Sequence, residues 1–66
     1  MTALQYRKAL ETLGLSQQAA ADLIGFGRRT SQGYALGEYP VHSAVAILLR
    51  LLLKGTITIR DVEHSK

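Results

Sequence analysis

Residues 15–40 read LSQQAAADLIGFGRRTSQGYALGEYP. Two helix-forming runs are separated by Gly25-Phe26-Gly27, and the densest positive charge, Arg28-Arg29, opens the second run. Ser16 is a good N-cap, because its hydroxyl can accept one of the unpaired backbone N–H groups of a first turn. QQAAADLI then makes roughly two turns, with Ala20, Leu23 and Ile24 inward, and Gly25 stops it. The second run predicts a helix from Arg28 to Leu36 with Gly37 as its C′ residue. Phe26, Ser31, Tyr34 and Ala35 would face inward; Arg28, Arg29, Gln32 and Gly33 would face outward. Glycine costs roughly 1 kcal/mol in a helix interior, so Gly33 calls for a reason other than stability.

Upstream, Thr2 and Gln5 form a T-x-x-Q capping box. Ala3, Tyr6, Leu10 and Leu13 follow at helical spacing, with Leu4 and Ala9 beside them and Gly14 as the stop. Downstream, Pro40 suits the first turn of a fourth helix, whose pattern runs through VHSAVAILLRLLLK to Gly55. On a wheel of about 100° per residue, Val41, Val45, Leu48 and Leu52 make the inward stripe, widened by Leu49 and Leu51. Ile47 and Leu53 are left flanking the narrow polar strip of Ser43, Arg50 and Lys54. TITIR alternates with period two, which predicts either a short strand or an extended tail docked by Ile57 and Ile59, with 61–66 frayed.

Sixty-six residues make one small domain, and a chain this short buries only about 60% of its unfolded surface. Disulfides and thiolate metal sites are excluded because there is no cysteine. His42 and His64 are far apart, so no metal site and no cofactor are expected. The net charge of +3 permits an anionic partner. No signal peptide is visible, and the apolar run Ile47–Leu53 is too short for a bilayer and carries Arg50. A cytoplasmic setting without membrane association is expected. No Ser-His-Asp, paired-carboxylate or phosphate-loop pattern occurs, so there is no candidate catalytic residue and the chain is not expected to be an enzyme.

A short helix, a glycine-bearing turn and a second helix with charge on its outer face form a helix-turn-helix pattern. The second helix of such a pair lies in the DNA major groove, where Arg can donate two hydrogen bonds to guanine. The segment resembles the helix-turn-helix core of the phage Cro/repressor (Xre-type) family. The resemblance is carried by Leu15-Ser16-Gln17, Ala21, Ile24-Gly25, Arg28, Thr30 and Gly37, with Tyr34 and Pro40-Val41 closing the segment. It implies an all-α, lambda-repressor-like bundle of four to five helices, with the helix-turn-helix core at about 15–37 and a dimerisation helix and tail at 40–62. By position, it implies base contacts from Arg28, Arg29, Gln32 and Gly33, and a phosphate contact from Gln17. Thr30 and Tyr39 are further candidates for backbone contact, Tyr39 either donating its hydroxyl to a phosphate or packing under the fourth helix. Three departures are visible. Ser31 replaces an aliphatic core residue. Ala35 and Leu10 replace an ion pair between the third and first helices. Gly33 offers no side chain.

The leading expectation is therefore a sequence-specific regulator of double-stranded DNA. It would be a repressor or autorepressor that binds an inverted-repeat operator as a homodimer, with no small-molecule ligand. Ile47, Leu51, Leu53, Ile57 and Ile59 would form the dimer interface. The alternative is a protein-interaction module, such as an antitoxin or assembly adaptor, that uses the apolar fourth helix; an architectural DNA-bending protein is a third. Arg28 and Arg29 also fit a plain solvated helix face, in which case they would be dispensable.

Overall fold

Every helix but the third is announced by a side-chain cap. In the computed structural model, which describes residues 1–65, five helices follow in order: α1 Ala3–Leu13, α2 Gln17–Ile24, α3 Arg28–Leu36, α4 Ser43–Lys54 and α5 Ile59–His64. The fold is a small all-α bundle, without a strand among the described residues. Thr2 and Gln5 close the expected box: Gln5 N donates to Thr2 Oγ1 at 3.1 Å and Thr2 N donates to Gln5 Oε1 at 2.9 Å. Ser16 Oγ accepts from Ala19 N at 3.0 Å and starts α2. Gly25 ends it with φ 102°, a left-handed conformation that a Cβ-bearing residue adopts only at a cost.

The core gathers Tyr6 and Leu10 of α1, Ala20 of α2, Tyr34 and Ala35 of α3, and Val45, Ala46, Leu49 and Leu52 of α4. α1 packs on α3 and α4, α2 packs on α3, and α5 closes against α2. Three rings meet Tyr34 edge-on: Tyr6 at 5.5 Å, Phe26 at 5.6 Å and Tyr39 at 5.8 Å between centroids. These four are all the Phe and Tyr residues of the chain, and such edge-on pairs contribute about 0.5–1.5 kcal/mol each beyond area burial. They tie α1, the α2–α3 turn, α3 and the following loop to one point.

Three expectations are corrected. Pro40 does not open α4; it lies in the connection, and the helix begins at Ser43 with His42 as its cap. The His42 Nδ1 accepts from Ala44 N at 3.1 Å. Val41 and Ala46, at the two positions of a hydrophobic staple around that cap, are both buried. The tail forms no strand: residues 59–64 are helical. Thr58 and Asp61 cap that helix reciprocally, Asp61 N donating to Thr58 Oγ1 at 3.1 Å and Thr58 N to Asp61 Oδ2 at 2.9 Å. Thr58–Asp61 is a T-x-x-D box, and its local hydrogen bonds prevail over a period-two alternation only a few residues long. The expectation of a frayed end from residue 61 fails for the same reason; Lys66 lies outside the described residues.

Candidate nucleic-acid interface

α3 is the only one of the five helices without a side-chain cap. Gly27 precedes it, so the N–H groups of its first turn meet no capping oxygen. Its first two residues are Arg28 and Arg29, and no acidic residue stands in that turn. Basic side chains at a helix N-terminus oppose the helix dipole, a cost of about 0.3–1 kcal/mol each. Neither arginine side chain forms a hydrogen bond or ion pair among the described residues. An open N-terminus with two unpaired guanidinium groups is a strong local attractor for phosphate oxygens and guanine edges.

Arg28, Arg29 and Gln32 are all exposed. At about 100° per residue they fall on one face of α3. Leu36, to which the sequence reading gave no role, continues that face and is 70% exposed. Its exposure follows from helical spacing, because it falls between Gln32 and Arg29 on the wheel.

Gly33 is corrected: it was expected to lie open on this face, and it is buried. The ring of Tyr39 covers it, and a Cβ there would overlap the ring carbon Cζ and the hydroxyl oxygen. Tyr39 is itself 40% exposed. Its hydroxyl, expected to reach a phosphate, instead donates to the Arg29 carbonyl oxygen at 3.1 Å. Thr30 is partly buried, off the arginine face. Gln17, the first residue of α2, is also partly buried, in a shallow groove with Arg7 and Glu11.

The departures around α3 are compensated. Ser31 and Tyr6 are both fully buried, and their hydroxyls form a hydrogen bond of 2.7 Å. Burial pushes the Tyr6 pKa up, the Ser31 hydrogen bond pulls it down, and Tyr34 adds a smaller upward push; the net direction is up. In place of the missing ion pair, the Arg7 guanidinium donates to the Ala35 carbonyl oxygen in the last turn of α3.

On α4, Ile47 and Leu53 are 56% and 42% exposed, and Leu51 is partly buried. Ile57 and Ile59 are packed against the chain's own core. The strand expected there is not formed; Ile57, just before α5, and Ile59, its first residue, dock the tail, which is helical rather than extended. Among the described residues no group of His, Cys, Asp or Glu could hold a metal ion, and no helix is long and apolar enough to cross a membrane. No protein-family model matches the chain, and no curated protein or solved structure is significantly similar to it.

Proposed function

We propose that this chain is a sequence-specific, double-stranded DNA-binding transcriptional regulator, with α2 and α3 as a helix-turn-helix and α3 as the helix that enters the major groove. The observation that carries this reading is the start of α3: Arg28, Arg29 and Gln32 exposed together at an uncapped, acid-free helix N-terminus. A solvated stabilising face would favour acids at that end, so the arrangement is better explained by an anionic partner. Arg28 and Arg29 read guanines, Gln32 an adjacent base, and the open N–H groups receive a backbone phosphate. The sequence resemblance to the Cro/repressor family points the same way.

The regulator acts as a repressor on an inverted repeat, bound by a homodimer. The exposed Ile47 and Leu53 favour pairing through α4. Each chain measures 30 × 21 × 20 Å, so two copies side by side can span the ~34–36 Å separation of major-groove faces one turn apart. The same two residues suit a protein-interaction module, and the arginines discriminate: that reading makes them dispensable.

The test is selection from a randomised duplex pool at low salt, followed by Arg28→Ala and Arg29→Ala. An enriched inverted repeat is expected. Each substitution should relax one position of it at a cost of about 1–3 kcal/mol, and affinity should fall steeply with salt. No enrichment, or equal small losses on operator and scrambled duplex, refutes the reading.

A further inference from the structure

Gly33 and Tyr39 are fitted to each other. Any side chain at position 33 would occupy the space of the Tyr39 ring, so the glycine is the seat of the tyrosine. Two further contacts fix the ring there: its hydroxyl on the Arg29 carbonyl oxygen at 3.1 Å, and its edge-on packing against Tyr34 at 5.8 Å and 77°. Arg29 and Gly33 lie one turn apart on α3, so the ring borders the face that carries Arg28, Arg29 and Gln32. It remains 40% exposed.

We infer that Tyr39 is a specificity-determining residue of the DNA-reading face, its ring taking the place of the side chain that Gly33 lacks and meeting a thymine methyl beside the base read by Arg29. This rests on the function proposed above. With its proton committed to the Arg29 carbonyl oxygen the hydroxyl has no donor left for a phosphate, and the apolar surface the residue can offer a base is ring carbon. In the major groove the apolar feature that identifies a base is the C5 methyl of thymine. The ring also hydrogen-bonds to the backbone of Arg29, so base choice at the two neighbouring positions is coupled in space.

The experiment uses the full chain and the operator recovered by selection, with each thymine replaced in turn by uracil, which removes only the methyl. For the wild type, one thymine beside the guanine assigned to Arg29 should lose roughly fourfold in affinity, the worth of one buried methyl-sized group. Tyr39→Ala and Gly33→Ala should both abolish that thymine–uracil difference, the second by evicting the ring; Tyr39→Phe, which keeps the ring, should retain it. Should Gly33→Ala fail to fold by circular dichroism, Tyr39→Ala carries the test, since it only removes atoms. A wild type indifferent to uracil at every position overturns the inference, as does a Tyr39→Ala variant that keeps the thymine–uracil difference. Failure to recover any operator would instead overturn the DNA-binding reading itself, and this inference with it.

Discussion

Replacing Ser31 by alanine removes one oxygen and should unsettle the whole bundle. Ser31 and Tyr6 are both at 0% exposure, and each hydroxyl has the other as its partner at 2.7 Å. Alanine at 31 strands the Tyr6 hydroxyl in the core, at a cost of about 1–3 kcal/mol. The better helix propensity of alanine returns about 0.5 kcal/mol, which leaves a net loss of about 0.5–2.5 kcal/mol. In a domain of this size each kcal/mol moves Tm by roughly 4–8 °C. Tyr6→Phe should cost less, because a helical serine can turn its hydroxyl to the carbonyl four residues back; that carbonyl belongs to Gly27, which already accepts from Ser31 N. The double variant has no stranded polar atom and should recover most of the loss, giving a coupling energy of about 1–2 kcal/mol. Denaturant unfolding followed by circular dichroism on all four proteins closes the cycle. An unchanged midpoint for Ser31→Ala, or strict additivity in the double variant, would refute the reasoning.

The same phenol predicts a pH dependence. Its pKa is raised above the ordinary 10.0 in the folded state, so its contribution is fully present below pH 10 and is lost as pH rises through the higher folded value. Tyrosinate absorbance should report one of the three tyrosines ionising late, and Tyr6→Phe should remove that component. Thr58→Ala removes the side-chain half of the α5 capping box, the bond from Asp61 N to Thr58 Oγ1, and keeps the one from Thr58 N to Asp61 Oδ2; it should cost about 1 kcal/mol, seen as faster amide exchange confined to residues 59–64, and uniform protection would contradict it. The dimer proposed through α4 predicts that wild type sediments as twice 7.2 kDa at micromolar concentration and that an Ile47→Glu, Leu53→Glu variant sediments as a folded monomer. A monomeric wild type would refute that pairing.

What the sequence disclosed depended on range. The boxes and caps at Thr2, Gln5 and Ser16, and the stops at Gly14, Gly25, Gly37 and Gly55, act within four residues, and all stand where sequence reading put them. The T-x-x-D box at Thr58 was equally local and legible, but the apolar alternation of Ile57 and Ile59 competed with it. Ser31 looked like a weakness in the core because its partner Tyr6 is 25 residues away. Gly33 looked open because helical periodicity places it outward, and no periodicity could tell that the Gly37–Val41 connection turns back to lay Tyr39 over it. Arg7 likewise reaches α3 only in three dimensions.

These long-range links bear on how α3 presents its outer face. The helix is nine residues long, and its buried side chains are only Ser31, Tyr34 and Ala35. Apolar contact is non-directional, so so thin an inward surface would leave the helix free to roll about its axis. A roll of one residue position, about 100°, would turn Arg28 away from any groove that Gln32 entered. Directional contacts supply what the apolar face lacks. Ser31 is held by the Tyr6 hydroxyl at mid-helix, and the Ala35 carbonyl is held by Arg7 one turn later. Both partners belong to α1, so two points along α3 are referred to one rigid element. Tyr39 adds a third restraint on the opposite flank through the Arg29 carbonyl. Ser31 thus gives up the apolar burial an aliphatic side chain would supply and gains orientation, which is what the base-reading role proposed for α3 needs most.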